Sequence, residues 1–368
     1  MGFLRRSSGG HSSSGGRDSS GGRSSSGGRS GASEVEAISR FWSWWQTEGA
    51  TETALAIVDR EPERMVVPLS KQIKAIHASL AWELGPGSDN AHVLVVSAEG
   101  DPELRGLARR WRRAAPAADG IWEYSDSRLP AADPAEVTLT LGQTAVDVAS
   151  ASAWARVLGA DLNVAVYHPA FVGLAEQERR LATRLLLDTV LGESAVETWV
   201  GSIETVIEEP LDPVPLIGLR AVIRELIERF TDAAGDPAWV LMEGSTQDGD
   251  RVLAGAQIPL RSATAPHLDT YVAVSVPYTD RTPEGLPTDS SLASLQDFGD
   301  HLNSRLGASG RLVAHETYAG VRTLHLYVDG STPAVEQLRP AIAGWDQGQV
   351  SLASAADPGW QHVQHLRS

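Results

Sequence analysis

The sequence contains no cysteine, so disulfides, thioether-attached haem and thiolate zinc sites are all excluded. It also lacks any run near the ~18 consecutive apolar residues of a membrane-spanning helix. Its start, Met1 to Arg6, leads into Ser and Gly rather than an apolar export segment, so the Arg5-Arg6 pair makes no convincing export signal. A soluble, cytoplasmic protein is expected. There is no Gly-x-Ser-x-Gly elbow, phosphate loop, dinucleotide-binding Gly pattern, His-Glu-x-x-His pair or calcium loop. The familiar enzyme classes therefore lose their usual signatures, and no cofactor is expected. The chain does have 368 residues, 42% of them hydrophobic, with 11 Trp, 35 Gly and a net charge of −16. That is enough for two domains with real cores, which excludes a fully disordered chain.

Residues 1–33 repeat units such as Ser12-Ser13-Ser14-Gly15-Gly16-Arg17, with almost nothing apolar to offset the entropy of ordering. A disordered tail is expected there, carrying a net charge of +4 against −13 for residues 34–234 and −7 for residues 235–368. Two acidic blocks following a flexible basic arm should repel free nucleic acid at low salt. The first block opens with Phe41, Trp42, Trp44 and Trp45. Pro68 then starts a helical face of Leu69, Ile73, Ile76, Leu80 and Leu84, stopped by Gly85-Pro86-Gly87. An apolar strand over 92–96, a helix over 101–113, strands near 137–141 and 162–167, a helix over 174–191 and a strand over 198–207 complete it. This mixture reads as α+β or α/β, and an α+β domain is the expectation.

The prolines at 210, 213 and 215 and a helix carrying Leu216, Leu219, Ile223, Leu226 and Phe230 precede Gly235, where the domain boundary is placed. Beyond it, 239–244 and 252–260 form a hairpin through Asp248-Gly249, a pair that tolerates positive φ. From Tyr271 the order is strand, helix, strand, strand, helix, strand. This predicts a ferredoxin-like α+β domain, an antiparallel sheet with two helices on one face and the hairpin added.

The run from Tyr271 to Tyr278, then Gly285-Leu286-Pro287, Leu292, Leu295 and Asp297, resembles an uncharacterised bacterial family, the domain-of-unknown-function family numbered six hundred and ninety-five. The resemblance extends through Thr317, Gly320, Arg322 and Tyr327 to Asp357-Pro358 and Trp360, about the last third of the chain. A similar layout occurs in the regulator of ribonuclease E activity type B, an acidic ferredoxin-like inhibitor protein. The resemblance implies fold more firmly than activity. The chain departs from the pattern at Val363 and Leu366, where an aromatic residue commonly follows the last Trp.

Four groups of residues are candidates for chemistry or contact. Asp357 with His362 and His365, three residues apart, is a candidate metal site, to be set against solvated imidazoles at a frayed terminus. His168 at a strand end, with Asp188, Glu193 and Glu197 around the following helix, is a candidate general base or hard-metal site; local structural roles are the alternative. Arg105, Arg109 and Arg112 share a helical face suited to RNA phosphate or an acidic partner, unless local acids such as Glu99, Asp101 and Glu103 engage them. Positions 42 and 44 do not face the same side of a helix, so at least one of Trp42, Trp44 and Trp45 should contact something beyond its own helix, a candidate partner surface. The leading expectation is a non-enzymatic protein-binding or regulatory module with an unidentified protein partner. A metal-assisted hydrolase centred on His168 and an RNA binder using the Arg105 to Arg113 helix are the rivals.

Overall fold

The computed structural model describes residues 4–6, 27–232 and 235–367. The fold is α+β and falls into two compact units, Met1–Ala132 and Asp133–Ser368. Among the described residues no helix is long and apolar enough to cross a membrane. The tail expected over 1–33 lies outside the described residues except at its ends. There, β1 (Leu4–Arg6) pairs antiparallel with a later strand, and 27–33 open helix α1 (Gly27–Trp44).

In the first unit α1 runs through a wider, π-helical turn at Trp45–Gly49 into α2 (Ala50–Val58). Glycine is required at the end of that turn, because a Cβ on Gly49 would lie 2.8 Å from the ring of Trp44. Helix α3 (Val66–Ile76) buries Leu69, Ile73 and Ile76 as the periodicity predicts. It stops at His77, however, whose backbone is extended. The expected continuation to Leu84 is instead strand β2 (Ala81–Pro86), where Trp82 and Leu84 alternate and pair with Val96 and Leu94 of β3 (His92–Ser97). Cross-strand pairing outweighs the helical spacing there. Asp101 accepts a hydrogen bond from the Glu103 N–H at 3.0 Å and so caps α4 (Pro102–Arg113), which leads to β4 (Trp122–Ser125), parallel to β3. The sheet order is β1-β2-β3-β4.

Aromatic packing holds this unit together. Trp42 stacks on Trp111 with centroids 4.7 Å apart and donates its indole N–H to the Trp111 carbonyl at 2.9 Å. Trp45, 1% exposed, donates to the Tyr124 hydroxyl at 2.9 Å.

The second unit begins with a ribbon of β5 (Thr138–Leu141) and β6 (Thr144–Asp147), then β7 (Ser152–Leu158), β8 (Asp161–Tyr167), α5 (Glu176–Leu191), α6 (Glu193–Trp199), β9 (Val200–Val206), β10 (Val214–Pro215) and α7 (Leu219–Phe230). Gly192 at φ 83° separates α5 from α6, so the first residues of the strand expected over 198–207 are helical. The strands β10-β7-β8-β9 form one sheet. A second sheet contains β11 (Ala238–Ser245), β12 (Arg251–Ile258), β13 (Thr270–Pro277), β14 (Gly310–Tyr318), β15 (Val321–Val328) and β16 (Ser351–Ala356), in the order β11-β12-β14-β15-β13-β16. All its neighbours are antiparallel. Ala319 and Gly320, at φ 49° and 83°, make the tight turn between β14 and β15.

Helices α8 (Asp289–Leu306) and α9 (Ala334–Ile342) cover one face of this sheet over Val272, Val274, Leu324 and Leu326. The opposite face carries Ala256, Ile258, Tyr271 and Tyr327, which share a single apolar core with Leu162, Val164, Leu186, Val190, Leu216 and Ile223. The chain therefore divides at residues 132 and 133, not at the expected 234 and 235. With both C-terminal helices on one face, the other is covered by residues that precede the expected boundary.

Replacing Trp45 with Ala is expected to destabilise the first unit by about 3–5 kcal/mol through the lost indole and the cavity. Trp154→Ala, at a position 42% exposed, should change stability by less than about 1 kcal/mol. Chemical denaturation followed by fluorescence compares the two.

Candidate functional site

The residues proposed for chemistry on sequence grounds do not assemble as expected. His168 is buried, and both ring nitrogens are engaged with backbone: Nδ1 accepts from the Ala170 N–H at 3.0 Å and Nε2 lies 3.0 Å from the Asp147 carbonyl, to which it donates. It thus caps the short helical turn that follows β8. Asp188 and Glu193 are buried around the Arg184 guanidinium, each 3.8 Å from it, while Glu197 is half-buried on α6. Asp188 and Glu193 thus form ion pairs with Arg184 at the junction of α5 and α6.

Asp126 engages the arginine face of α4. Arg105 Nη1 donates to the Asp126 carbonyl at 2.6 Å, and Arg109 Nε donates to its carboxylate at 2.7 Å. Arg105 is buried, which removes it from any nucleic-acid surface, and Arg112 is half-buried. Asp126, which lies outside the nearby acids Glu99, Asp101 and Glu103, is a partner of both Arg105 and Arg109. Trp42 and Trp45 are core residues, and Trp44 packs half-buried against the same core. The helix packs Trp42 and Trp45 on α4 and β4 of its own unit, so these two indoles do contact groups beyond their own helix, while Trp44 stays half-buried.

The densest polar network lies at the end of the six-stranded sheet. Tyr271, His325, Tyr327 and Glu316 point to one face because strand side chains alternate and the sheet register sets them side by side. The Glu316 carboxylate lies 3.0 Å from His325 Nε2, and the Tyr271 hydroxyl lies 2.7 Å from His325 Nδ1. A carboxylate only accepts, so Nε2 carries the proton and Nδ1 accepts from the tyrosine. His365 Nε2 reaches the same Glu316 oxygen at 3.1 Å. Asp357 accepts from the Tyr327 hydroxyl at 2.6 Å, from the backbone N–H groups of Gln361 and His362 at 2.8 and 2.9 Å, and from His362 Nδ1 at 2.8 Å. The His362 ring stacks on Tyr271 with centroids 4.3 Å apart.

Asp357, His362 and His365 therefore bind protein groups and not a common metal. The two imidazoles go to different carboxylates, Asp357 and Glu316. Among the described residues no group of three or more His, Asp or Glu is arranged to hold a metal ion.

The order hydroxyl, imidazole, carboxylate is that of an activated nucleophile. Burial, with Glu316 and Asp357 adding to it, pushes the Tyr271 phenol up to about 12. At neutral pH the phenol stays protonated and acts as a donor, so the network works as a fastening. It ties the segment Gln361–Leu366 to the sheet at two points.

A different kind of surface lies at the other edge of the sheet. Val240 and Met242 pack on the large core, so Trp239, Leu241 and Glu243 project from the opposite face of β11. Trp239 is 44% and Leu241 81% exposed. His315 stacks on Trp239 at 5.9 Å and lies over Gly255, where a Cβ would come within 2.6 Å of its Nε2. Burial first, then the charge of Arg322, pushes His315 down to about 4, so its imidazole is neutral at physiological pH. Strand β11 ends the sheet order, and its outer edge pairs with no strand among the described residues.

Residues 245–366 match the model of a family of unknown function (DUF695). No curated protein matches the chain. The family region covers both the fastened C-terminal segment and His315, while Trp239 and Leu241 lie just before it. Sequence inspection singled out Tyr271, Tyr327 and Asp357 by resemblance but passed over Glu316 and His325. The available signal was their alternation with the buried Leu324, Leu326 and Val328, which places Thr323, His325 and Tyr327 on one face.

The hydrogen bond from His325 is the chief reason Glu316 lies below its ordinary value. Burial raises the Asp357 carboxyl, but hydrogen bonds from His362, Tyr327 and Gln361 outweigh it and hold it low. Groups lowered in the folded state contribute stability above their unfolded values, about 4, and that contribution is lost as pH falls through the folded values. Glu316→Gln is expected to flatten the acid limb of stability against pH, measured as urea midpoints from pH 7 to 3. A curve parallel to that of the parent chain would show that Glu316 carries none of this dependence.

Proposed function

We propose that this chain is a non-enzymatic protein-binding module that takes an extended segment of a partner along β11. The observation that carries the reading is the exposed pair Trp239 and Leu241, two residues apart on the outermost strand of the sheet. An added strand would hydrogen-bond to the open edge and set alternate side chains beside the two apolar residues, the usual mode of strand addition. Large exposed apolar side chains on an open edge are otherwise an aggregation liability.

Charge narrows the partner. Glu243, Asp248, Asp250 and Glu284 are exposed around the tip of the β11–β12 hairpin, with Arg251 paired to Glu243 at 2.7 Å and to Glu284 at 3.3 Å. Opposite charges across an interface favour encounter and register, so a segment alternating apolar and basic residues fits this rim.

The absence of cysteine permits a clean test. A benzophenone probe on Leu241→Cys is expected to cross-link, in native lysate, to a partner segment of alternating apolar and basic residues. A probe on exposed His301→Cys serves as the comparison. Adding Trp239→Lys should abolish the adduct while changing stability by less than about 1 kcal/mol. Identical labelling from positions 241 and 301, or an adduct indifferent to Trp239→Lys, would refute the reading.

A further inference from the structure

Three guanidiniums converge in the second unit around Trp360, where the turn after β12, the start of β14 and the C-terminal segment meet. Arg261 Nη2 donates to the Asp161 carboxylate at 2.7 Å. Arg311 Nη2 donates to the Thr264 hydroxyl at 2.9 Å, and its guanidinium stands 5.8 Å from the centre of the Trp360 ring. Thr264 in turn donates to the Arg261 carbonyl at 2.7 Å, tying the two arginines together. Arg367 Nη2 donates to the carbonyls of Gly359 and Trp360, both at 3.1 Å.

The cluster is short of negative charge. Among the described residues, Asp161 on Arg261 is the one carboxylate within salt-bridge distance of these three side chains. Asp236 acts on Arg311, and Asp161 and Asp357 on Arg367, only at longer range. The Nε atoms of Arg311 and Arg367 are buried and have no hydrogen-bond acceptor. Burial pushes both guanidiniums down, and on Arg367 the charge of Arg261 adds to it. Arg311 and Arg367 are thus half-buried cations with no carboxylate in direct contact, which is costly, and their two buried Nε atoms lack an acceptor.

We propose that Arg261, Arg311 and Arg367 form a binding site for a phosphate-type oxyanion. A phosphate dianion supplies the missing charge, and its several oxygens accept from more than one planar guanidinium fork at once, which a single carboxylate does less well. Thr264 positions Arg311 within the site, and Trp360 provides a rigid floor beneath it. This site is separate from the open edge of β11, so its occupancy does not depend on strand addition there.

The test uses the full chain, with inorganic phosphate and O-phosphoserine as alternative probes and with chloride and acetate at matched ionic strength as references. Thermal melting and calorimetric titration are expected to show saturable stabilisation by phosphate that neither reference reproduces. The tighter of the two phosphate probes tells whether the anion is free or carried on an amino-acid side chain. Arg311→Met is expected to weaken phosphate binding at least about tenfold, the loss of one charge-assisted hydrogen bond. Without phosphate the same variant should melt no lower than the parent chain, because an uncompensated charge has been removed. Arg367→Met gives an independent variant with the same expectation. Phosphate effects equal to those of acetate and chloride, or unaltered in both variants, would overturn the assignment.

Discussion

Covering both faces of the six-stranded sheet is the constraint on which the second unit depends. Helices α8 and α9 lie on one face, over valines and leucines of β13 and β15. The other face exposes Ala256, Ile258, Tyr271 and Tyr327, which must be removed from water for the sheet to be stable. They are buried in the core shared with α5, α7, β8 and the turn before α7. Residues 133–230 thus serve as the second covering layer, which is why the family region sits inside a larger compact unit.

That coverage is incomplete at one edge and reinforced at the other end. Past β14 the helical layer leaves Trp239, Leu241 and His315 on an open face. At the far end, Asp357 gathers four donors and Glu316 receives two imidazoles, fastening the last segment by charge-assisted hydrogen bonds. Trp360 buries its ring on Tyr327 at 4.4 Å and donates to the Leu268 carbonyl. The polar network and the indole thus anchor the same stretch from two sides.

The first unit solves the burial problem with aromatic rings rather than with a second layer. Its four-stranded sheet is packed by Phe41, Trp42, Trp45 and Trp111, whose edge-to-face and stacked contacts fix the angles between α1, α4 and the sheet. The buried Arg105 is tolerated because Asp126 pairs with it, at a cost that explains why Arg109 bonds to the same carboxylate.

Local periodicity was readable from the sequence wherever one face of an element is buried. The spacing that marks α4 and α7 and the turn at Asp248-Gly249 depend on neighbours a few residues away. The α+β class and the succession from Tyr271 onward follow from these local patterns, as does the resemblance of the last third to the matching family. What depends on distant residues was not readable. Leu80 and Leu84 fit a helix until β3 supplies a strand to pair with, and Arg109 appears free until Asp126, 17 residues on, turns back to meet it. Glu316 and His365 are 49 residues apart and meet only because the C-terminal segment folds across the sheet. Which side chains of a strand share a face was set by sequence alone, since they alternate at a fixed period of two. Which segment covers each face, where the chain divides and which charges lack a partner were decided only by the tertiary structure, because burial and electrostatics sum over groups brought together by folding.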